Sequence, residues 1–209
     1  MIVTISREYG AAGLAVADGV AHALGYELLL DDLPKTVAAR LGTSAAEVAE
    51  RAAAEASLPE RILARLGAGT AEVISLREPR LPGDFDESVR REIERTIRER
   101  AAAGDVVILG RNAGALLGPR RDLVRVFLTG EREWRLGRIV ASFGNTRAQA
   151  LADLERIDAN RRKIARERYN VVWGDGRFYD VVLDASRFGV DGTVELVVAA
   201  VRAAERAGT

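Results

Sequence analysis

The sequence predicts an α/β protein in which a parallel sheet is wrapped by helices. Three observations lead there. Short β-branched or continuous apolar runs recur at residues 2–5, 106–109, 124–128 and 181–183. Helix-forming segments long enough for crossover connections separate them. Polar and glycine residues gather directly after the runs, at Ser6-Arg7-Glu8, Asp31-Asp32, Gly110-Arg111-Asn112, Thr129-Gly130 and Asp184-Ala185-Ser186. In such sheets ligands bind beyond the carboxyl ends of the strands.

The elements follow in order. Ile2, Val3, Thr4 and Ile5 form a β-branched strand run that gives way to a glycine-containing turn. A helical pattern over residues 14–24 comes next, and Gly25 stops it. Residues 26–30 make a second short apolar run closed by Asp31 and Asp32, and Pro34 opens a long stretch of helix formers. Between residues 35 and 66 the pattern suggests two or more helices, broken near Leu41-Gly42 and near Ser57-Leu58-Pro59. Residues 76–84, with Pro79, Pro82 and Gly83, read as a loop. Residues 86–103 predict a charged, alanine-rich helix with Val89, Ile93 and Ile97 at a spacing of four. The run at residues 106–109 is that of a strand covered on both faces, and residues 124–128 and 181–183 repeat its signature.

A chain of 209 residues, 48% hydrophobic and 30% charged, predicts one domain over residues 1–209. Basic and acidic residues balance at 31 each, so no overall field draws the protein to nucleic acid or to an anionic membrane. Phosphate binding must therefore be local. With no cysteine, thiolate metal sites and cysteine nucleophiles are excluded. The single histidine, His22, lies on a helix pattern where a packing or surface role is expected. No signal-like start and no apolar run of about 18 residues is present, so a cytoplasmic protein is the expectation. Lys35 and Lys163 are the only lysines; whatever lysine does to a phosphate elsewhere, arginine must do here.

The turn after the first strand reads S-R-E-Y-G-A-A-G-L-A. A regular phosphate loop, GxxxxGK[ST], rings a phosphate with backbone amides, reaches it with lysine and holds magnesium with a hydroxyl. Here Arg7 stands near the first glycine of that pattern, Gly13 near the lysine and Ala15 near the hydroxyl residue. What survives is a strand, a tight loop with Gly10 and Gly13, and a helix whose N-terminal amides face an anion. On this segment alone an ordinary strand-to-helix turn fits equally well.

Together with later segments the loop resembles the cytidylate kinase-like family of the P-loop nucleoside monophosphate kinase superfamily. The opening ITISREYGxxG is similar to that family's loop. VVILGRNAGALLGPRRDLVRVFLTGEREWRLGRI resembles the stretch in which a strand ends in GRD, with Asn112 here replacing the aspartate. RIDANRRKIARERYN resembles the family's D-x-x-R helix, and Trp173, Asp175, Tyr179, Asp180 and Asp184 resemble its last strand region. The resemblance implies a five-stranded parallel sheet flanked by helices, a helical NMP-binding insertion at about residues 33–100 and a lid at about residues 143–169. It also implies transfer of the ATP γ-phosphoryl group to a nucleoside monophosphate such as CMP, with Mg2+. By family match Arg111 would bind the acceptor phosphate, Asp158 the acceptor sugar or base, and Arg161 phosphate; Arg135 and Arg138 match arginines of the helix beside the lid.

Phosphoryl transfer needs positioning and charge neutralisation, for which arginine is suited. The expected catalytic residues are Arg7, Arg111 and Arg161. The expected nucleotide contacts are Gly10, Ala11, Ala12, Gly13, Leu14, Arg135 and Arg138, and the expected acceptor contacts are Asp31, Asn112 and Asp158. Other readings stand beside these. Arg7 either meets phosphate or folds back onto Glu8 or Asp31. Asp158 and Arg161, three apart on a helix, can simply pair with each other. Trp134 and Trp173 fit packing roles. Magnesium has no evident ligand set; Ser6, Thr129 and Asp31 are the oxygens at hand. A nucleotide-binding protein without turnover is the second function, and a helical scaffold or homodimer built on the alanine-arginine-glutamate helices a third.

Overall fold

The computed structural model describes residues 1–29, 32–45, 48 and 84–208. The readings placed on Leu30 and Asp31, on the break near residues 57–59 and on the loop at residues 76–83 lie outside these residues, as does most of the expected insertion.

The chain divides into two compact units, Met1–Leu28 with Ala103–Thr209, and Leu29–Ala102. Its elements in order are β1 (Ile2–Arg7), α1 (Gly13–Leu24), β2 (Glu27–Leu29), α2 (Asp32–Leu41), α3 (Asp84–Ala103), β3 (Val106–Leu109), α4 (Ala113–Leu117), β4 (Leu123–Thr129), α5 (Arg132–Phe143), α6 (Arg147–Tyr169), β5 (Val181–Asp184) and α7 (Ala185–Gly208).

The sheet is the expected five-stranded one, in the order β2-β3-β1-β4-β5. β1 pairs in parallel with β3, Ile2 opposite Val106, and with β4, Ile2 opposite Leu123. β4 pairs in parallel with β5, Val126 opposite Val181. Ile2, Val3, Ile5, Val106, Val107, Val126 and Leu128 are fully buried, as the apolar runs of β1, β3 and β4 predict for strands covered on both faces. β5 departs from that expectation. It forms an edge, and Val182 is 44% exposed, because an edge strand has neighbours on one side only.

The chain leaves β1 toward one edge of the sheet and later reaches β4 on the other side of β1. The carboxyl ends of β1, β3 and β4 therefore flank the point where the winding reverses. α1 packs against β3 and α7, and it ends as its sequence requires: Gly25 is left-handed at φ +71° and its amide caps the carbonyls of Ala21 and His22. α6 begins with a capping box, in which Gln149 N–H donates to Thr146 Oγ1 while Gln149 Oε1 accepts from Thr146 N–H.

In the second unit, Val37 and Ala38 of α2 are buried, and the expected helix at residues 86–103 buries the stripe Val89, Ile93, Ile97 and Ala101. Arg40 donates to Glu99 Oε2 at 2.5 Å and to Thr96 Oγ1 at 3.3 Å. α2 ends at Leu41, and Gly42 is left-handed, as the Leu41-Gly42 break predicts.

Candidate functional site

Arg7 is the last residue of β1 and is buried. Beyond it the chain turns sharply: Ala11 N–H donates to Glu8 O at 3.2 Å, Gly10 takes φ +81° and Ala12 takes φ +57° before α1 starts at Gly13. A β-carbon on Gly13 would lie 2.7 Å from Arg7 Cγ and 2.9 Å from Arg7 Cδ, and one on Gly110 would collide with Arg7 Nη1. The arginine thus runs from the end of β1, under the first turn of α1, to the end of β3. Glycine at 13 and at 110 makes the room. Gly10 has a similar reason, since its β-carbon would meet the carbonyl oxygen of Arg135 at 2.8 Å.

Gly110, Arg111 and Asn112 are three successive left-handed residues, at φ +77°, +56° and +49°. Glycine adopts this conformation freely; a residue with a β-carbon pays roughly 1–2 kcal/mol for it. Surrounding structure has to hold such residues in place, and here the turn is closed by Ala113 N–H to Gly110 O at 3.0 Å. Arg111 and Asn112 are half-buried.

Three arginines meet at this point. The Arg7 guanidinium is held well below the ordinary arginine value, first by burial and then by the positive charges of Arg161 and Arg111, with Asp158 acting in the opposite sense. Burial likewise pulls Arg161 down to about 10, against the pull of Asp158 and Tyr9. The charges of Arg161 and Arg111 therefore both bear on Arg7, which lies beneath the first turn of α1. Such a cluster is stabilised by an anion.

Asp158 is buried and committed to the chain. Its Oδ1 accepts from Tyr9 N–H at 2.8 Å and its Oδ2 from Arg135 Nη1 at 2.8 Å. Burial pushes its carboxyl up, and the Tyr9 amide and Arg135 pull it down. Arg135 also donates to Tyr9 O at 3.2 Å and to Gly130 O at 2.9 Å. Arg161 donates to Arg7 O at 2.9 Å and stands 3.9 Å from Asp158 Oδ1, so the helical pair expected from their spacing is present but long.

The other residues expected at the site lie as follows. Ala11 and Ala12 are buried and Leu14 is half-buried. Arg138 stacks over Trp134 at 5.0 Å. Asp31 lies outside the described residues. Trp134 covers Gly130, whose β-carbon would lie 3.2 Å from its ring, and Trp173 meets Phe127 of β4 edge-on at 5.0 Å; both pack, as expected. Thr129 and Ser6, the oxygens considered for magnesium, already have partners: Thr129 Oγ1 donates to Glu8 Oε2 at 2.6 Å, and the Ser6 hydroxyl bonds to that of Tyr179. Among the described residues no three histidine, aspartate or glutamate side chains gather to hold a metal.

Two residues of the loop make contacts that sequence reasoning did not give: Glu8, considered there as a partner of Arg7, and Tyr9, expected to pack on the following helix. Glu8 accepts from Gly130 N–H at 3.2 Å as well as from Thr129 and lies 3.5 Å from Arg135 Nε, tying the loop to the end of β4. Tyr9 sits among Leu136, Ile139, Ala150, Leu154 and Ile157, tying it to α5 and α6. Their partners lie more than 120 residues away, and no local pattern signals them.

The sequence profile of the cytidylate kinase-like family matches residues 2–187. The cytidylate kinase of Natronomonas pharaonis is 25% identical over 205 residues, covering 97% of this chain and 90% of that protein. The cytidylate kinase of Halobacterium salinarum is 28% identical over 119 residues, 56% of this chain and 62% of that protein, so the match spans about three fifths of its length. An uncharacterized protein from Eubacterium ventriosum has a similar structure, with a TM-score of 0.67 at 19% identity, over 97% of this chain and 98% of that one. That likeness is one of fold.

Proposed function

The chain belongs to the cytidylate kinase-like family, and from that premise we propose that it transfers the γ-phosphoryl group of ATP to a nucleoside monophosphate, CMP-like, or to a related phosphate-bearing small molecule. Arginines act where a glycine loop elsewhere uses lysine. The observation that carries this reading is that the charges of Arg161 and Arg111 bear on Arg7, at the reversal point of the sheet, where Arg7 lies under the first turn of α1.

In the reaction an acceptor phosphate oxygen forms a bond to the γ-phosphorus as the bond from that phosphorus to the bridging oxygen breaks, and ADP leaves with the electron pair. The chain's part is to bind, align and neutralise. The amides at the start of α1 face the phosphates. Arg7 supplies from below the charge that a loop lysine supplies from the side. Arg111, held in its left-handed turn, faces the acceptor phosphate, and Arg161 neutralises charge shared among the transferring oxygens. Magnesium would add further neutralisation of the phosphate charge. Ser6 bonds to Tyr179, and Thr129 and Glu8 bond to each other, so none of these side chains stands ready to hold it, and phosphate and water would be its ligands.

A second reading, nucleotide binding without turnover, is favoured by one observation: Gly13 and Ala15 stand near the positions where a regular phosphate loop carries its lysine and its hydroxyl. Incubation of the protein with Mg-ATP and a panel of nucleoside monophosphates distinguishes the two. Turnover predicts acceptor-dependent ADP release that disappears in Arg111→Ala. Nucleotide binding by calorimetry without ADP release supports the second reading, and no nucleotide binding overturns both.

A further inference from the structure

The main chain of Tyr9 is enclosed by side chains from two distant helices. Its N–H donates to Asp158 Oδ1 of α6 at 2.8 Å; Asp158 Oδ2 accepts from Arg135 Nη1 of α5 at 2.8 Å; and the same Nη1 returns to Tyr9 O at 3.2 Å. Amide, carboxylate, guanidinium and carbonyl close a ring around one residue. Arg161, one turn beyond Asp158, holds the neighbouring peptide through Arg7 O. Arg135 reaches the far side of the loop as well, through its contact with Gly130 O and the packing of its own carbonyl against Gly10.

A buried ion pair costs much of its attraction in lost hydration, so it is poorly explained as a device for stability alone. This pair fixes geometry. Both carboxylate oxygens face the chain, and the Asp158 side chain is 5% exposed, which leaves little of it for an acceptor.

We propose that Asp158 and Arg135 are positioning residues of the phosphate loop: they set the peptide planes on both sides of Tyr9, and through them the direction of the Gly10 to Gly13 amides and the place of Arg7, without touching either substrate. The proposal rests on the nucleotide-site reading of the loop. It differs from a direct acceptor contact by Asp158 in a measurable way, because the loop serves the donor phosphates.

The test uses Asp158→Asn, which retains an acceptor for Tyr9 N–H and loses the charge, and Arg135→Lys, which retains the charge and loses the two-way donation. Calorimetry with Mg-ATP and with each nucleoside monophosphate separately gives donor and acceptor affinities, and amide hydrogen exchange by NMR reads the Tyr9 N–H. Each variant is expected to weaken Mg-ATP by about tenfold, keep the acceptor within about twofold and speed Tyr9 exchange by about tenfold, the scale of a lost charge-assisted hydrogen bond. The double variant is expected to be no worse than the worse single one, since both break one ring. Loss of acceptor affinity with Mg-ATP binding and Tyr9 exchange unchanged overturns the proposal. If the wild-type protein binds no nucleotide, the kinase reading fails, and unchanged Tyr9 exchange in both variants separately overturns the ring as the loop's support. If Asp158→Asn does not fold, Arg135→Lys carries the same three measurements.

Discussion

The stem of Arg7 fills the space in which a β-carbon of Gly13 would lie, with Cγ 2.7 Å and Cδ 2.9 Å from that point. These atoms lie midway along the side chain, held between a strand end and a helix start, and cannot swing aside as a free tip could. Gly13 begins α1 without a left-handed φ, so its need for glycine is one of space and not of backbone conformation.

Gly13→Ala is therefore expected to destabilise the protein by about 1–3 kcal/mol, the usual scale of forced overpacking. Combination with Arg7→Ala should recover part of that loss, giving a non-additive cycle. Urea denaturation of the four proteins checks it, and strict additivity would count against the contact.

Tyr9 offers a second prediction. Its hydroxyl is buried with no hydrogen-bond partner among the described residues, and burial pushes the phenol up to about 12. A phenol raised in the folded state favours folding below its unfolded value near 10, and that contribution is lost as pH rises through the folded value. Stability should fall between about pH 10 and 12 in the wild-type protein and fall less in Tyr9→Phe. At neutral pH Tyr9→Phe should be neutral or stabilising by up to about 1 kcal/mol, because it removes an unsatisfied polar atom. Melting curves at several pH values decide it.

At position 111 the left-handed backbone separates two effects of one residue. Arg111→Gly and Arg111→Ala both remove the guanidinium, and both should abolish acceptor-dependent ADP release. The glycine variant should nonetheless be more stable than the alanine variant by about 1 kcal/mol, because glycine carries no left-handed penalty. Equal stabilities in denaturant would mean that the turn is not strained.

Arg161 yields a dependence on pH. Its burial pulls an arginine down to about 10 and leaves it charged at neutrality. A lysine starts about two units lower, and the same burial would pull it down toward neutrality. Arg161→Lys should keep activity at low pH and lose it as pH rises through that region, the cation being the form that neutralises phosphate. A profile parallel to that of the wild-type protein between pH 6 and 9 would contradict this.

The elements were legible where one residue's neighbours in sequence decide its state. α1 follows from a periodic apolar face and Gly25, α3 from Val89, Ile93 and Ile97 at a spacing of four, and β1, β3 and β4 from continuous apolar runs. β5 shows the limit of that signal: Val181, Val182 and Leu183 read like a central strand, and only the strand order reveals an edge. The arginines at the strand ends were legible as candidates because a parallel sheet directs function there. The grip of Asp158 and Arg135 on Tyr9 was not, since spacing along a helix shows which face a residue shares and says nothing of a loop 149 or 126 positions away in the chain.

The two tryptophans stand in unlike surroundings. Trp134 lies beside Gly130 and under Arg138, one residue before Arg135, whereas Trp173 packs edge-on against Phe127 in the sheet. The molecule thus contains two tryptophan fluorophores, one next to the loop's anchor and one against the sheet. With Trp173 replaced by phenylalanine, the emission of Trp134 becomes an optical gauge of what happens at the glycine loop, readable in real time and without a label.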